Sequence, residues 1–141
     1  MFGLAAFLMT AELVARAPAP GEVSIVVSGL RNSHGEVRIC MTRDPAHFPD
    51  CKGDPAALTR SIPAATPAVT LAAVPPGEYA IAIFHDENNN RRLDTVFGIP
   101  REGFGFSRNP PLGFGAPRFS KVVIRIAPGL SRMNVRMQYL L

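Results

Sequence analysis

From Tyr79 to His85 the chain reads Tyr-Ala-Ile-Ala-Ile-Phe-His, apolar on both alternating sides. Ile81 and Ile83 fall on one face, and Ala80, Ala82 and Phe84 on the other. A strand with two apolar faces needs a cover on each, so it belongs at the centre of a layered structure. It follows Val74-Pro-Pro-Gly77, a strong turn signal. Tyr79, entering a strand just after that turn, suggests a tyrosine corner, whose phenol bonds a nearby backbone carbonyl in Greek-key sandwiches.

The remaining pattern is of the same kind. Val23, Ile25 and Val27 alternate with Ser24, Val26 and Ser28, and Val37, Ile39 and Met41 with Glu36 and Arg38. Two strands follow from that period of two, with a hairpin through Arg31-Asn-Ser-His-Gly35. Residues 43–58 read as a Pro-rich loop with one helical turn at Asp54–Leu58. Weaker strands are expected at Thr59–Ile62 and Val69–Ala73. Val122, Ile124 and Ile126, then Met133, Val135, Met137 and Tyr139, mark two half-buried strands near the end. If those two pair, Lys121, Arg125, Arg132 and Arg136 form one outer basic ladder. Fourteen Pro and twelve Gly in 141 residues favour turns over long helices. The expected fold is all-β: one Greek-key sandwich of about seven strands, with one long unpatterned loop over residues 86–117.

The opening Met-Phe-Gly-Leu-Ala-Ala-Phe-Leu-Met is a short apolar run, and Ala15-Arg16-Ala17 resembles a small-x-small cleavage site. Residues 1–17 therefore read as a secretory signal peptide, with the domain over 22–140 and no membrane span after cleavage. Periplasmic or secreted placement follows. The two cysteines, Cys40 and Cys51, suit that compartment as a disulfide closing a local loop. Net charge is +4. Residues 1–90 hold six basic and nine acidic side chains, whereas residues 91–141 hold nine and two. A basic C-terminal half suits an anionic envelope component or another envelope protein. Nucleic acid does not fit an exported chain.

Three groups of residues carry chemical potential. Asp86-x-Asn88-x-Asn90-x-x-x-Asp94 spaces oxygen ligands as calcium loops do. The same residues also suit an Asx-rich turn bonded to its own backbone. Arg91 stands where calcium loops place Gly, and Phe97 where they place a bidentate Glu. The second group is Gly98–Pro117. There and just beyond, Arg101, Arg108 and Arg118 could meet carboxylate or phosphate; with Glu102 and His85 nearby they are polar candidates for a ligand or partner surface, and Phe104, Phe106 and Phe114 would line it or anchor the loop. The third is His85, Asp86 and Glu102, which together suit acid–base hydrolysis. No H-E-x-x-H or G-x-S-x-G motif accompanies them, so the expectation is no enzyme.

The run Pro-Gly-x-Tyr-Ala-Ile-x-x-Phe-His-Asp-x-Asn-x-Asn-x-x-x-Asp, then Gly98-Ile-Pro-x-Glu-Gly-Phe-Gly-Phe-Ser107 and Phe114-Gly-x-Pro117, resembles the bacterial family called domain of unknown function 2141. The resemblance spans about residues 22–140. It implies a small exported protein with an immunoglobulin- or prealbumin-like sandwich, and implies no activity. The expectation is a binding or structural module of the envelope. Its alternatives are a calcium-stabilised carbohydrate- or lipid-binding module and a hydrolase. No cofactor is required beyond possible calcium.

Overall fold

A computed structural model describes residues 3, 6–14, 16–111, 113 and 115–141. Ala15, in the proposed cleavage site, and Phe114, in the proposed ligand surface, lie outside the described residues. The fold is all-β with several sheets. The strands are β1 (Gly21–Ser28), β2 (Glu36–Thr42), β3 (Leu58–Pro63), β4 (Ala68–Val74) and β5 (Gly77–Asp86). They continue with β6 (Thr95–Val96), β7 (Ile99–Pro100), β8 (Phe104–Phe106), β9 (Ile124–Ile126) and β10 (Gly129–Arg136). A helical turn, α1 (Phe119–Val122), precedes β9.

One sheet has the order β10-β1-β4, and the other β3-β2-β5-β8, with β9 beside the start of β5. Their facing sides share one core. Val23, Ile25, Val27, Leu71, Val74 and Val135 come from the first sheet; Val37, Ile39, Met41, Tyr79, Ile81 and Ile83 come from the second. Ile81 and Ile83 are buried, and together contribute about 3–6 kcal/mol. That is comparable with the net stability of a whole domain, so a one-residue slip of β5 is prohibitive.

The reverse face of β5 is also covered. Ala80 and Ala82 pack under Phe104, Phe106, Val122 and the Cys40–Cys51 pair. Those cysteines are bonded, with Cα atoms 5.7 Å apart. The bridge fastens the residue 43–57 loop onto β2 and constrains the unfolded chain by about 2–3 kcal/mol. The two-faced burial expected of this strand is thus present. So is a bond from the phenol to nearby backbone: the Tyr79 hydroxyl donates to the Pro75 carbonyl at 2.6 Å.

Several expectations need correction. β1 and β2 do not form a hairpin; they lie in different sheets and face each other across the core. Residues 29–35 carry the chain from one sheet to the other. Gly35 makes that crossing possible, because a Cβ there would sit 2.0 Å from the Asp86 carbonyl oxygen. The helical turn expected at Asp54–Leu58 is a plain turn, and a 3-10 turn occurs instead at Pro45–His47, where the Asp44 side chain accepts from Ala46 N. Lys121 and Val122 are helical, at the end of α1, where strand was expected. The basic ladder does not form, because β9 pairs with β5 and β10 with β1. Pro128-Gly129 redirects the chain between sheets there. The strands number ten among the described residues, and three of them lie inside the segment expected to be unpatterned. Residues 6–14 form no regular element, and Phe7, Leu8, Met9, Leu13 and Val14 are exposed.

Candidate functional site

Between the end of β5 and the start of β9 the chain forms two unlike regions. The first, residues 86–107, is built around two buried carboxylates. Asp86 is fully buried at the end of β5. Its Oδ2 accepts from Arg38 Nε at 2.7 Å and from Arg91 N at 2.8 Å, and its Oδ1 accepts from Asn90 N at 3.1 Å. Glu102 is 4 % exposed and clasps the loop from the other side. Its two oxygens accept from Glu87 N at 2.6 Å and Asp94 N at 3.0 Å. A buried carboxylate needs such partners, because an unpaired one costs several kcal/mol.

The asparagines complete the stitching. The Asn88 and Asn90 amides donate to the two Asp94 oxygens at 2.6 and 2.7 Å. Asn88 Oδ1 accepts from Asn90 N, and Asn90 Oδ1 from Arg92 N, in the local pattern of Asx turns. These amide bonds hold the Asp94 carboxyl below its ordinary range. Burial pushes Glu102 above its own; its backbone partners oppose that shift, while negative Asp94 and Asp86 add to it. Glu87 moves down despite its burial, held by bonds from Arg31 and Asn32. Asp86, Asn88, Asn90 and Asp94 therefore do converge as the spacing predicts. Every one of their side-chain oxygens already accepts a bond from within the protein. Among the described residues, no group of three His, Cys, Asp or Glu side chains is arranged to hold a metal ion. The turn still demands what a calcium loop demands of its backbone: Asn89 and Arg91 have φ of 56° and 63°.

His85 is fully buried beside this network. Nε2 lies 2.6 Å from the His34 carbonyl, which only accepts, so Nε2 carries a proton. Nδ1 lies 2.9 Å from the Tyr139 hydroxyl and, in the neutral ring, accepts from it. The phenol oxygen in turn accepts from Arg31 N. Gly103 makes room for this Tyr, since a Cβ there would strike its ring. Both imidazole nitrogens and both Glu102 oxygens are thus committed to holding the chain. Arg101 is exposed, and its carbonyl accepts from Arg31 Nη2. Arg31, Glu87, Asn88, Asp94, Arg101 and Glu102 enclose a small polar recess of about 240 Å³.

The second region, residues 108–121, is clamped at its ends and open between them. Ser107 Oγ, buried, accepts from Ile81 N and donates to the Val122 carbonyl, so one hydroxyl ties both ends to β5. The Asn109 amide brackets the edge of β10, donating to the Asn134 carbonyl at 2.9 Å and accepting from Arg136 N at 2.8 Å. Described residues of the span between line a groove of about 650 Å³. Phe106 floors it, Pro110, Pro111 and Pro117 wall it, and Arg108, Arg118 and Lys121 line it. All three cations are exposed, and among the described residues no carboxylate contributes to the lining. Phe104 and Phe106 are buried, packed toward the disulfide. The sequence reasoning missed Arg38, Ser107, Asn109, Lys121 and Tyr139 as site-builders. Among these, only the acid-free stretch from Gly103 to the end, with its six basic residues, was a readable signal.

Against known proteins, residues 25–134 match the family model for an uncharacterized protein conserved in bacteria, domain of unknown function 2141. No curated protein and no solved structure matches the chain.

Proposed function

The chain belongs to the bacterial family domain of unknown function 2141, and from that premise we propose that it is a non-catalytic binding module of the cell envelope. On this reading it is exported as an immunoglobulin- or prealbumin-like Greek-key sandwich and uses the basic groove to hold an acidic polysaccharide. The disulfide supports an oxidising compartment. The Tyr79–Pro75 bond supports the Greek-key reading. A catalytic role for His85, Asp86 and Glu102 has little support, since their polar atoms are already engaged.

The observation that carries the reading is the groove's lining: three exposed cations beside prolines, with no carboxylate among the described residues, on clamped ends. Magnitudes then choose the ligand's size. Exposed ion pairs contribute about 0.2–1 kcal/mol each, so three give at most about 3 kcal/mol. Millimolar binding already needs about 4 kcal/mol. A single small anion is therefore too weak a ligand. A polymer with repeated charges, rebinding along its length, makes up the difference.

The test is affinity electrophoresis through gels containing polygalacturonate or neutral dextran. Wild-type protein is expected to be retarded by the acidic polymer alone, less so at high salt. Arg108→Ser with Arg118→Ser should abolish most of the retardation and leave the melting midpoint almost unchanged. Equal retardation by dextran, or an unaffected double variant, would refute the groove.

A further inference from the structure

Beyond the groove, a second surface lies at the tip of the β6–β7 hairpin. Thr95 pairs with Pro100 and Val96 with Ile99, leaving Phe97-Gly98 as a two-residue turn. Both turn residues have positive φ, 51° and 76°, as the tight hairpin geometry requires. Asn-Gly is the pair suited to that geometry. A bulky aromatic is poorly suited to the left-handed region. Phe97 is nevertheless there, and its side chain is completely exposed at 101 %. Val96 and Ile99, which flank the turn, are exposed as well, as is Leu93 before the hairpin. Phe104 and Phe106, a few residues on, are buried. Neither backbone preference nor solubility accounts for Phe97 at this position, and strain combined with exposure is characteristic of functional tips.

The charges are sorted about the tip. Arg91, Arg92 and Arg101 are exposed at the hairpin's base. The nearby acids are turned inward: Asp94 to the Asn88 and Asn90 amides, and Glu102 to backbone N–H groups. We propose that this hairpin docks the protein on an anionic lipid bilayer, with Phe97, Val96 and Ile99 entering the headgroup–acyl boundary and the three arginines meeting lipid phosphates. Apolar side chains at a tip, with basic ones behind them, combine burial in the interface with attraction to anionic lipid. A specific protein partner fits less well. Three side chains on a hairpin tip offer about a few hundred Å² at most, below the roughly 800 Å² per side of a standard interface.

The test uses the full chain with vesicles of phosphatidylcholine alone or mixed with phosphatidylglycerol. Wild-type protein should co-sediment with the mixed vesicles. Phe97→Asn places the favoured Asn-Gly pair in the turn, so its melting midpoint should hold or rise while vesicle binding falls tenfold or more. Arg108→Ser with Arg118→Ser, in the separate groove, should retain vesicle binding. The chain has no Trp, so Phe97→Trp supplies a single indole whose emission should shift to the blue on the mixed vesicles. Three outcomes would overturn the proposal: no wild-type binding, Phe97→Asn binding like wild type, or an unmoved Phe97→Trp emission on sedimenting protein. Loss of self-association in Phe97→Asn, without vesicle binding by wild type, would also overturn it and assign the tip to a second copy of the chain.

Discussion

The two regions between β5 and β9 differ in a way their composition hides. Residues 86–107 hold the densest collection of oxygen-bearing side chains in the molecule, and their base is closed. Asp86 and Glu102 satisfy backbone donors, and the asparagines satisfy Asp94. Residues 108–121 hold no carboxylate, yet described residues among them line the open groove. Polar density on its own therefore does not mark a ligand site. What matters is whether the polar groups have partners inside the protein.

Variants on either side of this divide can break or sharpen the contrast. The largest effect is expected from Asp86→Ala. It removes the buried partner of the Arg38 pair, leaves Arg38 with Glu36 and Ser61 alone, and orphans Arg91 N. Losing one partner of such a pair costs about 3–5 kcal/mol, readable as a lower urea midpoint. A cost below about 1 kcal/mol would mean that Asp86 is not holding the loop. Ser107→Ala should cost less, about 1–3 kcal/mol, by orphaning Ile81 N and the Val122 carbonyl. It should also weaken polygalacturonate binding, because the groove's ends are released. Unchanged binding would detach the clamp from the groove's function.

Smaller effects probe the turn itself. Arg91 has φ of 63°, so Arg91→Gly relieves strain and also gives the unfolded chain more freedom. The expected net gain is about 0.5 kcal/mol; a clear loss would show that the Arg91 side chain matters to the turn. The smallest effect is that of calcium. With every side-chain oxygen of Asp86, Asn88, Asn90 and Asp94 already bonded, millimolar calcium should leave the melting midpoint unchanged. A rise would mean that the Asn88 and Asn90 amides turn over to receive the ion.

Much of this architecture was legible in the sequence, for reasons that differ by element. Two-sided burial of β5 followed from apolar residues at every position from Ala80 to Phe84. Cys40 and Cys51 were close enough in sequence for a local bridge to be the simplest pairing. Period-two alternation assigns faces but not neighbours. That is why β1 and β2 were joined as a hairpin, whereas β1 pairs in parallel with β10, over a hundred residues away. Phe-Gly-Phe of β8 and the two-residue strands of the hairpin are too short for any period to show. In the site, the convergence of Asp86, Asn88, Asn90 and Asp94 was legible from spacing. Their satisfaction was not, because it depends on Arg38 and Glu102, held in place by other strands. The groove was least legible, since Ser107 and Asn109 act through single bonds to distant backbone.

The division between closed and open regions is tested most directly by amide hydrogen exchange of the wild-type chain, with and without oligogalacturonate. The amides of Glu87, Asn90, Arg91 and Asp94, bonded to buried carboxylates, should exchange slowly whether or not the oligosaccharide is present. New protection should appear on binding at Arg108, Arg118 and Lys121. Fast exchange at the first set, or ligand-induced protection there with none along the groove, would contradict the account.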